Sequence, residues 1–340
     1  MPSSLSAAVL GVSKLETALA FYRDLLGLEA SAEYTCRGDA FARHWNLPSG
    51  SEARAVMLAN GNSPVGRLLL MEFQTEGRTR VPPPDARTYR GFWNLNFYTD
   101  DLRALVAQLK ARNVTLWEDV INYNTMALSG GWLESVAVGP DGIAIALFEL
   151  IADTGTTVGD VAAGVAPMPK TKRGNTQVAT TSHCVADFGK AKAFYEKVLG
   201  MKALCDDVTD SAALNRLNGR PEDGRTRWGL MQGDNFLGKI MISHPLNYAV
   251  PERVLLAAPP NIGYLAQSFE VDDLDAAAEA CKEVEADVYS PPLIMTYPGL
   301  GPRRTMVVRN PGSQGLTELV QKVAMPMALA PSAVHAVAAE

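Results

Sequence analysis

Histidine and cysteine are scarce in this 340-residue chain, with four of each. Cys36, Cys184, Cys205 and Cys281 show no C-x-x-C spacing, which excludes the usual thiolate zinc sites and redox pairs. Four isolated thiols fit a reducing compartment better than a disulfide framework. Runs of basic residues are missing. Lysine plus arginine (31) are outnumbered by aspartate plus glutamate (37), for a net charge of −6. Phosphate backbones and anionic membrane surfaces need clustered cations, so neither nucleic acid nor a membrane is an expected partner. No apolar run approaches the ~20 residues of a bilayer span. The opening "MPSSLSAAVLGVSKLE" has neither the basic start nor the apolar core of a signal peptide. The expected location is the cytoplasm. Phosphate cradles are also lacking: "GNSPVG" and "GLGPRR" contain glycines, but neither lies between a strand and a helix start.

What is present is a repeat. "LETALAFYRDLLG" (Leu15 to Gly27) returns as "DFGKAKAFYEKVLG" (Asp187 to Gly200), with Ala18, Ala20, Phe21, Tyr22, Leu26 and Gly27 falling on Ala191, Ala193, Phe194, Tyr195, Leu199 and Gly200. At nearly the same offset "VGRLLLMEF" answers "LGKIMISHP", "TDDLRALVAQLK" answers "VDDLDAAAEACK", and "VGPDGIAIALFEL" answers "RNPGSQGLTELVQ". Four landmarks in one order mark a tandem duplication. Inside a copy, "SAAVLGV" reads as a strand and Ser13 with Glu16 as a capping box. Leu15, Ala18, Leu19, Tyr22 and Leu26 follow helical spacing up to the stop at Gly27. Strands at "ARAVML", "GRLLLMEF" and "FWNLNFYT" follow, then a helix from Asp101 and two strands around Pro-Asp-Gly. The fold class expected is α+β: two tandem domains, residues 1–150 and 178–323, each of two βαβββ modules forming an open cup-shaped mixed sheet. Residues 151–177 read as a linker or wrapping segment, and 324–340 as a loosely docked tail. The two copies are expected to form separate eight-stranded cups, a pseudo-dimer within one chain that is a monomer or homodimer in solution.

The strand leading to "V-A-D-F-G-K-A-K-A-F-Y-E-K-V-L-G", its degenerate partner at Val12 to Gly27, the "V-D-D-L" helix opening and the turn before the last strand resemble the vicinal oxygen chelate superfamily of glyoxalases, extradiol dioxygenases and bleomycin-resistance proteins. The resemblance covers nearly the whole chain except linker and tail. It implies ligand-holding cups and, in many members, a metal bound by one residue from each of four strands. At the matching positions this chain has Ala7, Leu69, Asn94 and Ala146 in the first copy and Thr180, Met241, Ala266 and Glu318 in the second. One usual ligand in eight positions cannot hold a divalent ion, which needs three or more protein donors. Neither metal nor cofactor is expected.

The remaining chemistry is sought on the cup walls and rims. Asn94, Asn96 and Tyr98 alternate along one strand, with Trp93, Trp132 and Glu134 nearby, a setting for a flat, partly polar ligand. Met241 and Ala266 are expected to form an apolar wall around Glu318, raising its pKa for proton transfer. The proline-rich stretch "SPPLIMTYPGLGPRRTMVV" reads as a loop delivering Tyr297, Arg303 and Arg304 to steady a developing negative charge. His44 lies in a segment expected to cover the pocket, and His244 either reaches the cup mouth or caps a loop. His183 is expected on the helix side, and His335 in the tail. The phenylalanine–tyrosine pairs are packing residues. The function expected is acid–base chemistry at carbon on a small apolar or aromatic metabolite (isomerase, lyase or cyclising type), with Glu318, Tyr297, Arg304 and His244 catalytic. The alternatives are a non-catalytic binding or sequestering protein and a metal-dependent dioxygenase or glyoxalase-type lyase.

Overall fold

The computed structural model describes residues 2–125, 127–151, 153–297 and 300–323. The expected tail and His335 lie outside them. The first quarter of the chain runs β1 (Leu5–Gly11), α1 (Leu15–Leu19, continued by a π-helical turn to Leu25), β2 (Glu29–Ala30), β3 (Tyr34–Cys36), α2 (Asp39–His44), β4 (Ala53–Ala59) and β5 (Arg67–Phe73). The second comprises β6 (Gly91–Thr99), α3 (Leu102–Ala111), β7 (Ile121–Thr125), β8 (Gly130–Val138) and β9 (Ala144–Leu150). After α4 (Thr157–Val165) come β10 (Asn175–Cys184), α5 (Phe188–Lys197), β11 (Lys202–Thr209), α6 (Ala212–Leu217), β12 (Thr226–Gln232) and β13 (Lys239–Pro245). The last module is β14 (Gly263–Glu270), α7 (Leu274–Glu283), β15 (Asp287–Tyr297), β16 (Gly301–Arg309) and β17 (Leu316–Lys322).

The α+β class and the four modules agree with the sequence. The pairing of modules does not. One curled sheet has the order β15-β16-β17-β14-β1-β5-β4-β2, with β3 on β4, and so joins the first module to the last. The other, β11-β12-β13-β10-β6-β9-β8-β7, joins the two middle modules. The copies are therefore not separate cups; each cup takes one module from each copy. Antiparallel pairing of β1 with β14 and of β6 with β10 makes the two seams. The crossovers between modules lock this exchange by lying against each other. Val81 N–H donates to Ile262 O (2.7 Å), Ile262 N–H to Thr79 O (2.9 Å) and Arg90 N–H to Pro251 O (2.9 Å).

Local chemistry sets the helix ends. Asp101, Asp187 and Asp273 accept from backbone N–H groups in the first turns of α3, α5 and α7. Ser13 and Glu16 form no capping box. Lys14 holds the cap position of α1, and Glu72 Oε2 accepts from Leu15 N–H at 2.9 Å instead. The apolar faces of α1, α3, α5 and α7 pack on the outer faces of both sheets in one continuous core. Phe21, Tyr22, Phe194 and Tyr195 are all buried in it. Residues 151–177, read as a linker or wrapping segment, carry α4 and the first residues of β10. One other expectation fails. The proline-rich stretch is mainly the β15–β16 hairpin, with Pro291 and Pro292 at a register shift on an edge strand, where a missing N–H is tolerated.

Candidate functional site

The two cups have opposite fates. In the first–last cup, α2 turns inward as a plug. Phe41 and Trp45 join the apolar filling, and His44 Nε2 lies 2.6 Å from Glu318 Oε1 with neither side chain exposed beyond 1%. Tyr297 donates its phenolic hydrogen to the same oxygen. Burial pushes the Glu318 carboxyl up, but hydrogen bonding and charge from His44, with help from Ser268 and Tyr297, outweigh it and leave the carboxyl below its ordinary value. This reverses the expected rise. A cavity of about 20 Å³ remains there, room for about one water. Ala266 is buried in this filling, but Met241, its expected neighbour at Glu318, belongs to the other cup. Arg304 does not face Glu318 either; it grips Asp275 of α7 at 2.6 and 2.7 Å on the surface. His244 is tied to Val185 O (3.0 Å) at the end of β13, a cap rather than a cavity residue. His183 faces the helices as expected, its Nδ1 2.8 Å from Tyr195 Oη, and burial drops its pKa to about 3.

The middle cup is open, with a cavity of about 140 Å³. Alternation along β6 turns Asn94, Asn96 and Tyr98 into it. Trp93 faces it as well, because a register shift opposite Ser182 and His183 leaves Trp93 as an extra residue in the β6–β10 ladder. β8 adds Trp132 and Glu134, β10 adds Thr180 and Ser182, and β13 adds Met241. Met241 thus joins Asn94, Asn96, Tyr98, Trp132 and Glu134 in a single site, although the sequence divides them between two copies. α4 covers one side with Val158 and Val161.

Glu134 is the acid of this cup. It is 5% exposed, and Tyr123 donates a short hydrogen bond to its Oε2. Burial pushes its carboxyl up to about 7, with Tyr123 and the positive charge of Arg220 opposing the rise. Asn94 Oδ1 accepts from Ser182 N–H (3.0 Å), closing the seam. Among the described residues, Asn96 Oδ1, Ser182 Oγ and the indole nitrogen of Trp93 are buried without a partner. They leave hydrogen-bonding capacity around an otherwise apolar chamber. Lys239, fully buried, points its amine at Phe236 O and, at 3.5 Å, Tyr98 Oη; burial lowers its pKa to about 7.

Three further lining residues had no signal that stood out in the sequence. Tyr123, Trp228 and Arg220 come from an edge strand, a middle strand and a loop that only the tertiary fold brings together. Lys239 did have a signal: it shares the inward face of β13 with Met241 and Ser243, and a lysine there is out of place.

A metal is a poor fit. At the corresponding strand positions the open cup offers Asn94, Ala146, Thr180 and Met241, and the plugged cup Ala7, Leu69, Ala266 and Glu318. Among the described residues no group of three or more His, Cys, Asp or Glu side chains could hold an ion. A donor set of amide, hydroxyl, thioether and methyl does not match a borderline-hard divalent cation.

Comparison with known proteins supports the fold. The profile of the Glyoxalase/Bleomycin resistance protein/Dioxygenase superfamily matches residues 4–147 and 177–293. The chain belongs to that superfamily. Among solved structures, glyoxalase I from Zea mays is similar with a TM-score of 0.60 at 16% identity, over 94% of this chain and 92% of that one. A putative dioxygenase from Bacillus subtilis is similar with a TM-score of 0.55 at 11% identity, over 94% of this chain and 85% of that one. No curated protein is significantly similar in sequence. Among the described residues no helix is long and apolar enough to cross a membrane.

Proposed function

We propose that the middle cup is the active site of an enzyme that moves a proton at carbon in a small, largely apolar or aromatic metabolite, without a metal, with Glu134 as the base. The observation that carries this reading is a buried carboxyl on the wall of an apolar cavity whose pKa lies near neutrality. A general base works best there, because it is available yet still basic enough to take a proton. Glu134 would remove a proton next to a substrate carbonyl, and Tyr123 would keep the carboxylate oriented. The Ser182 hydroxyl and the Trp93 indole N–H are the unpaired donors that could meet charge developing on the carbonyl oxygen. The role assigned to Glu318 from sequence thus passes to Glu134, since Glu318 lies under a plug and Glu134 borders open space.

The test is solvent deuterium exchange into aryl ketones and related acids, followed by NMR. Glu134→Gln should slow exchange about 100-fold or more while ligand binding persists. The wild-type rate should rise with pH through about 7 as Glu134 ionises. An unimpaired Glu134→Gln protein would remove the base. Saturable binding without exchange in any compound would instead favour a sequestering protein, a reading supported by the apolar, aromatic lining.

A further inference from the structure

Arg220 is the one cation that lines the open cup among the described residues. It sits between α6 and β12. Its N–H donates to Asn215 O (2.8 Å), and its Nη1 to Thr226 Oγ1 (3.2 Å), a hydroxyl itself 2.7 Å from Tyr248 Oη. These contacts fix the guanidinium without neutralising it. Among the described residues its Nε is buried with no partner, and no carboxylate is ion-paired with it. Glu134 feels its charge but is hydrogen-bonded to Tyr123 instead. Trp93, Trp132, Phe148 and Trp228 give the chamber a largely aromatic wall. A guanidinium against such walls loses hydration that only an anion or several acceptors can replace. Arginine also presents a planar pair of donors matched to a carboxylate.

Resting on the open cup being the functional site, we propose that its ligand is an aromatic carboxylic acid whose carboxylate pairs with Arg220 while its ring lies among the tryptophans. The acid group is then held by a residue anchored in the third module, and the carbon framework is presented to Glu134 from the second. Arg220 is a specificity residue; the proton transfer remains with Glu134.

The measurement is calorimetric titration of the full chain at neutral pH with phenylacetate and with phenylacetamide, which has nearly the same shape but no charge. The wild type should bind the acid about tenfold or more tightly than the amide, the scale of one charge-assisted pair. Arg220→Met should erase that preference and leave amide binding nearly unchanged. If Arg220→Met does not fold, judged by circular dichroism, Arg220→Gln serves the same comparison. Equal affinities in the wild type, no binding of the acid, or a preference that survives neutralisation of Arg220 would each overturn the proposal. Turnover does not enter this measurement. A fully active Glu134→Gln enzyme that still prefers the acid would remove the base and leave the anion site. Loss of turnover in Glu134→Gln beside equal affinities would do the reverse.

Discussion

At the scale of single residues, two buried groups, Glu134 on the wall of the open cup and Lys239 behind Tyr98, give stability opposite pH dependences. Glu134 has a folded pKa of about 7 against an ordinary 4.5. The native state therefore holds its proton more tightly, and that stabilisation is complete below about 4.5 and lost as pH rises through about 7. Lys239, at about 7 against 10.5, is the reverse: its burden is present in full below about 7 and relieved as pH rises toward 10.5. For Glu134 the swing is on the order of 3 kcal/mol. Urea unfolding between pH 5 and pH 8 should show Glu134→Gln gaining on the wild type by that order as pH rises. A difference independent of pH would mean that the carboxyl is not desolvated as described. The inward set Asn94, Asn96 and Tyr98 was legible in sequence because β6 alternates strictly after its bulge. The choice of acid was not. Burial of Glu134 without an ionic partner and of Glu318 with one depends on contacts far apart in sequence; His44 and Glu318 are 274 positions apart.

At the scale of elements, α2 decides which cup is available. It is a short helix whose apolar residues could equally cover a surface, and nothing in "DAFARHWNL" alone says that it enters a barrel-like interior. That His44 covers a cup is legible in its segment; that Glu318 rather than a ligand lies beneath it is not. The His44–Glu318 contact makes the plug costly to loosen. His44→Ala would strand a buried carboxylate and should destabilise the protein by roughly 3–5 kcal/mol, read from the urea midpoint, while proton exchange by the folded fraction stays unchanged. Loss of exchange in the folded variant would assign chemistry to the plugged cup. α4 shows the converse limit. Its residues are small and its stretch is rich in glycine and threonine, which reads as a connector, yet Val158 and Val161 bury against the open cup. The valines that it buries, Val158, Val161 and Val165, do follow helical spacing, a stripe obscured in the sequence by the small residues around it.

At the scale of the whole molecule, the duplication and the four modules could be read from matched landmarks, because those landmarks are local helices, caps and turns. Which module pairs with which could not, because the seam residues on β1, β6, β10 and β14 are interchangeable in kind: short strands, buried on both faces, of similar length. What accompanies this pairing is the contact between the two crossovers, which run side by side. The exchanged seams also alter what cutting the chain would do. Only the stretch from Ile151 to Gln177 joins the copies covalently, yet each copy contributes strands to both sheets. A single proteolytic nick in that stretch should leave two fragments that travel as one particle on native size exclusion and part only in denaturant. Fragments that separate without denaturant would refute the seams. The same property makes the halves natural complementation partners: expressed as two polypeptides, each is unfinished alone, and function returns only where both are made.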